Sequence, residues 1–220
     1  MQIIPQRELF VSTNKALIAT LPRFVFCGKI VVIQSESEAI RAVQALRQST
    51  LLGIDTETRP AFKKGVTHKV ALLQISTEDT CFLFRLNHIG MPDFLQEFLT
   101  NDVLKIGLSL RDDFKMLHRR KNMHAEEGNW IELQDYVPRF GIEDRSLQKL
   151  YANLFGKKIS KAQRLTNWEA ETLTEAQMLY AATDAWACIR IYQTLAEMEE
   201  TGDYEVEIVN KEQKETEVKS

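Results

Sequence analysis

Residues 51–58, LLGIDTET, restrict the fold of this chain more than any other stretch. The apolar start reads as a buried strand, yet Asp55 and Glu57 follow it two positions apart. Side chains on a strand alternate faces, so both carboxylates project from one side. Like charges at that spacing repel and favour protonation unless a cation, a base or open water faces them. A solvent-facing strand meets that condition as well as a chemical site does. The rest of the sequence has to decide.

The flanking text places the strand in an α/β pattern. KIVVIQ reads as a strand, and Ser35 and Glu38 after it have the spacing of a capping box that opens a helix. TRPAFKKGVTH reads as a loop, followed by KVALLQIST and TCFLFRL as paired strands around the polar turn EDT. MPDFLQEFLT is amphipathic, VLKIGL is a short buried strand, and RDDFKMLHRRKNMH resumes helical spacing. Beyond it the pattern is largely helical. SLQKLYANLFG ends on Gly156, a glycine stop signal. Thr174 and Gln177 form a capping box before a long helix, with Leu173 and Met178 placed as a hydrophobic staple.

A chain of 220 residues, 44% hydrophobic, can bury one full core, so a single domain is expected. Its divisions read as an N-terminal extension over 1–29, the folded domain over 30–198, and a loose charged tail over 199–220. The formal net charge of −3 excludes a global basic footprint, so contact with nucleic acid has to be local. MQIIPQRELF lacks the apolar core of a signal peptide, and no apolar run is long enough to span a bilayer. Cys27, Cys81 and Cys188 are odd in number, far apart and in apolar contexts, which reads as buried, reduced thiols in a cytoplasmic protein.

Two further acids fall on faces that should be buried. Tyr180, Asp184, Ala187, Ile191 and Leu195 share one helical stripe, and Asp184 is too far inside the helix to cap it. Leu110, Asp113, Phe114 and Leu117 form another stripe, whereas Asp112 groups with Lys115 and Arg119 on the opposite side. Three elements thus direct Asp55, Glu57, Asp113 and Asp184 toward an interior. They can share one site only if divalent cations neutralise them, and oxygen ligands suit Mg²⁺ or Mn²⁺.

GIDTET, KIGLSLRDD and LYAATDA, in that order, resemble the three motifs of the DEDD 3′–5′ exonucleases. The subclass is the one with Tyr four residues before the final Asp, the DEDDy group of the Werner syndrome protein exonuclease domain and ribonuclease D. KVALLQIS, SLQKL, FGKKI and NWEAETLTEAQ extend the resemblance over about residues 30–195. A sister subclass carries His five residues before that Asp, where this chain has Leu179. The resemblance implies a ribonuclease H-like fold, a mixed central β-sheet flanked by helices, with Asp55 and Glu57 on a central strand. It implies two divalent ions: Asp55 touches both, Glu57 and Asp184 complete one, and Asp113 holds the other through water. Tyr180 orients the attacking water, and nucleoside 5′-monophosphates leave from the 3′ end of a nucleic acid, DNA favoured. A ribonuclease D-like exoribonuclease and a non-catalytic nucleic-acid or protein adaptor are the alternatives. Having no use for four clustered acids and the tyrosine, an adaptor fits less well.

LHRRKNMH and GKKISKAQR are local basic stretches that either track phosphates or form solvated surface. The four histidines show no metal-ligand spacing and read as surface residues. Trp168 reads as packing near the last motif.

Overall fold

The computed structural model describes residues 7–207. The first half comprises β1 (Arg7–Phe10), α1 (Lys15–Thr20), β2 (Lys29–Ile33), α2 (Glu36–Leu46), β3 (Leu51–Thr58), β4 (Val70–Ser76), β5 (Thr80–Arg85), α3 (Leu86–Ile89) and α4 (Asp93–Leu99). The second comprises β6 (Leu104–Gly107), α5 (Leu110–Lys121), β7 (Trp130–Glu132), α6 (Leu133–Tyr136), α7 (Leu147–Phe155), α8 (Glu175–Thr201) and β8 (Tyr204–Glu207).

Six strands form the central sheet in the order β2-β5-β4-β3-β6-β7. β3, β4 and β5 make an antiparallel meander, while β6 and β7 add in parallel beside β3 and β2 adds in parallel beside β5. β3 is therefore central, between β4 and β6. α2, α4 and α5 cover one face of this mixed sheet, packing Leu46, Phe98 and Leu117 with Leu52 and Ile54 of β3. α7 and α8 cover the other. This is the ribonuclease H-like arrangement.

Local signals account for where the helices begin. Ser35 caps α2 while Glu38 returns to the backbone N–H groups of Gln34 and Ser35, and Thr174 and Gln177 do the same for α8. α7 stops at Gly156, whose φ of 59° places it in the left-handed region that glycine enters without strain. The stripe from Tyr180 to Leu195 is buried throughout.

The terminal segments are tied to each other. β1 pairs in parallel with β8, and the Asn153 side chain accepts from Phe10 N (2.9 Å) and donates to Phe10 O (2.7 Å). The stretch expected to be loose from Glu199 onward is thus ordered through Glu207, because α8 continues to Thr201 and the alternating Tyr204 and Val206 pack on the core. The remainder of that expected tail, 208–220, lies outside the described residues, as do residues 1–6. Cys27 is exposed, contrary to the expectation of three buried thiols, while Cys81 and Cys188 are buried. Among the described residues no helix is long and apolar enough to cross a membrane.

Candidate active site

Strand alternation and one glycine assemble the acids. Gly53, Asp55 and Glu57 lie on the face of β3 that meets α8, with Leu52 and Ile54 on the other. A Cβ on Gly53 would collide with the carbonyl oxygen of Ala185, so only glycine lets α8 pack this closely. The close approach brings Asp184 against the end of β3. Ligand oxygens of Asp55, Glu57 and Asp184 all lie within 4.8 Å of one another. Glu57 and Asp184 are buried, and Asp55 is half-buried.

Asp113 reaches the group from the opposite face of the sheet. It sits in the first turn of α5, where the Thr56 hydroxyl donates to its carboxylate. Asp112 points outward and pairs with Lys115 at 3.1 Å. Asp113 stands outside the close trio but near enough to Asp55 and Glu57 to repel both.

Glu132, at the end of β7, aims α5 at this point; its role was not read from the sequence. Its carboxylate accepts from the backbone N–H groups of Ser109 (2.9 Å), Leu110 (2.5 Å) and Gln134 (2.9 Å). Ser109 holds a left-handed backbone at φ 67°, a bend that Glu132 secures. WIE is too short for a period-two pattern to register, so only its acid beside aromatic and apolar neighbours hinted at a structural role.

The acids oppose one another's ionisation. Burial pushes Asp55 up to about 8, helped by the Asp184 charge. Burial and then Asp55 push Glu57 up to about 10. Asp184 rises to about 7 through burial, offset by its hydrogen bond with Tyr180 and by Lys161. Asp113 is raised by burial and then by Asp55. Tyr180 is also raised, by burial and then by Asp184, so its phenol stays protonated. Trp168, fully buried, packs behind it with ring centroids 6.0 Å apart.

A cleft of about 270 Å³ opens beside Asp55, Tyr180 and Asp184, lined also by Arg145, Lys161 and Arg164. Arg164 lowers Glu57 and Lys161 lowers Asp184, so cations of the GKKISKAQR stretch do face the acids. The LHRRKNMH stretch is engaged elsewhere: Arg120 donates to the carbonyls of Val70 and Leu86, and Lys121 pairs with Asp93.

The donor set fits a hard divalent cation. It is all oxygen, convergent and under mutual repulsion that a cation would relieve. Gln74 adds a second sign of incompleteness. It lies opposite Asp55 in the β3–β4 register, fully buried, and neither amide atom has a hydrogen-bond partner.

Stability should report this repulsion. Unfolded carboxylates titrate near 4, so between about pH 4 and pH 8 the native chain keeps protons that the unfolded chain has released. Metal-free stability is therefore expected to fall as pH rises through that window. Mn²⁺ at about a hundredfold its dissociation constant should add about 2.7 kcal/mol at pH 8. Melting curves across pH with Mn²⁺ or chelator check this. A flat metal-free profile with no Mn²⁺ effect would contradict it.

A family model described as a 3′–5′ exonuclease matches residues 30–200. In sequence the chain is similar to the bifunctional 3′–5′ exonuclease/ATP-dependent helicase WRN of Mus musculus, 32% identical over 192 residues, covering 82% of this chain and 14% of that protein. It is also similar to a 3′–5′ exonuclease of Arabidopsis thaliana, 29% identical over 194 residues, covering 80% of this chain and 67% of the other. In structure it is similar to the Nibbler EXO domain of Aedes aegypti, with a TM-score of 0.70 and 21% identity over 80% of this chain and 91% of that one. That likeness concerns the fold.

Proposed function

The chain belongs to the 3′–5′ exonuclease domain family, and on that premise we propose that it removes nucleotides from the 3′ end of a nucleic acid, DNA favoured, by a mechanism using two divalent ions. The observation that carries this reading is the convergence of Asp55, Glu57 and Asp184 at a cleft lined by Asp55, Tyr180 and Asp184. Mg²⁺ or Mn²⁺ fits the oxygen ligands: Asp55, Glu57 and Asp184 would hold one ion, and Asp55, with Asp113 through water, would hold the other. Such ions supply charge neutralisation and Lewis acidity at the scissile phosphate.

The chain's own groups do the rest. The Tyr180 hydroxyl, held protonated by burial and then by Asp184, aligns the attacking water by hydrogen bonding. Lys161 and Arg164 bind phosphate oxygens at the rim of the acid cluster. Trp168 fixes the tyrosine ring. Water adds to phosphorus and gives up a proton to solvent, the P–O3′ bond breaks, the 3′ oxygen left on the shortened strand takes up a proton, and a nucleoside 5′-monophosphate leaves. DNA is favoured on the sequence likeness to the DNA polymerase I of Aquifex aeolicus, 26% identical over 166 residues, covering 76% of this chain and 27% of that protein.

Asp113→Asn should lower turnover by more than the roughly 10–100-fold that loss of an outer ligand-orienting group costs. Asp112→Asn should leave turnover unchanged, since its exposed pair contributes at most about 1 kcal/mol of stability. Steady-state digestion of a labelled strand by both variants tests the assignment, and the reverse pattern would overturn it. The substrate is tested by offering single-stranded and recessed DNA beside matched RNA. Faster digestion of DNA is expected, and a preference for RNA would replace it with the exoribonuclease reading.

A further inference from the structure

Five large apolar side chains are exposed among the described residues, and three of them, Phe62 (82%), Val66 (44%) and Leu165 (59%), line one groove. The groove, about 510 Å³, lies between the loop after β3 and the segment that follows Arg164. Arg59 and Lys63 line it, and Lys64 is exposed beside them. Glu169 gathers both ends of the loop, pairing with Arg59 at 3.3 Å and His68 at 3.1 Å, so the wall carrying Phe62 is anchored to the other. Neither Lys63 nor Lys64 makes an ion pair among the described residues.

The groove continues the candidate active site. Arg59 follows Glu57 by two residues, at most about 7 Å of chain. Leu165 follows Arg164, which lines the acid-bearing cleft. An apolar face at this place invites a planar apolar ligand, and free lysines around it call for an anion. A strand of nucleic acid supplies both, a base to stack and a phosphate beside it.

We propose that Phe62, with Leu165 and Val66, is a stacking platform for bases of the strand that continues from the scissile bond, and that Lys63 and Lys64 hold its phosphates. This rests on the exonuclease reading and extends it to the binding of the substrate beyond the reacting nucleotide. Stacking does not depend on base identity, so the platform grips any sequence.

The test is binding of a long 5′-fluorescent single strand in chelator, where no cleavage is expected, together with digestion kinetics in Mn²⁺. Phe62→Ala should weaken binding by about fivefold or more and raise KM with kcat unchanged. Phe62→Trp should restore both, and Ile40→Ala, an exposed apolar residue elsewhere, should change neither. A dinucleotide too short to reach the groove should not distinguish wild type from Phe62→Ala. Lys63→Gln with Lys64→Gln should flatten the salt dependence of binding, by a slope of about 0.7 for each phosphate that is no longer neutralised. Equal binding by wild type and Phe62→Ala at every length overturns the platform even if digestion proceeds. Weaker binding by Phe62→Ala without digestion by wild type supports the platform and removes the exonuclease reading instead.

Discussion

Asp55→Asn is expected to abolish digestion while leaving the metal-free protein at least as stable as wild type at pH 8. Asp55 repels Glu57 and Asp113 and is itself repelled by Asp184, so its charge lies at the centre of the cluster. Asparagine keeps the shape and removes that charge. The loss of turnover should exceed the roughly 10²–10³-fold that follows removal of one preorganised electrostatic group, because Asp55 is proposed to serve both ion sites. Metal-free stability should hold or rise as the repulsion is relieved. The stabilisation by Mn²⁺ should disappear. Calorimetry and digestion on one preparation separate this from misfolding: an inactive variant that melts far below wild type would leave the loss attributable to structure, and an active one would remove Asp55 from the site.

Tyr180→Phe removes one oxygen and keeps the ring against Trp168. Metal-dependent stabilisation and substrate affinity should stay near wild type, and turnover should fall by about 10²-fold or more, as loss of a proton-handling or aligning group does. Full cleavage by the phenylalanine variant would make Tyr180 a packing residue. A parallel fall of cleavage and affinity would show that the hydroxyl positions the substrate.

Those residues were legible because strong local patterns surround them. A carboxylate at period two in an apolar strand, or within the inward stripe of a helix, conflicts with its surroundings. That conflict identifies Asp55, Glu57 and Asp184 before any fold is known. The helix faces also separate Asp113 from Asp112, and in the structure Asp113 accepts from Thr56 while Asp112 meets solvent and Lys115. The capping residues of α2 and α8 were equally plain.

What escaped the sequence depends on pairing between distant segments. Glu132 orients α5 from a three-residue strand, and Gln74 faces Asp55 only through the β3–β4 register. β1 and β8 pair across almost the whole chain, so neither has a local partner to announce it. The Phe62 groove arises where a loop and a segment about a hundred residues later meet through Glu169. Gly53 belongs to the same class: nothing in LLGIDTET says that a helix backbone will lie against it.

The most direct test of the central claim uses one DNA strand carrying distinct labels at its 5′ and 3′ ends, incubated with the protein in Mn²⁺ and in chelator. In Mn²⁺ the 3′ label should be released first as a mononucleotide, while the 5′-labelled strand shortens one nucleotide at a time; chelator should stop both. Release of the 5′ label first, cutting within the strand, or undiminished digestion in chelator would contradict a metal-dependent 3′–5′ exonuclease built on Asp55, Glu57, Asp113 and Asp184.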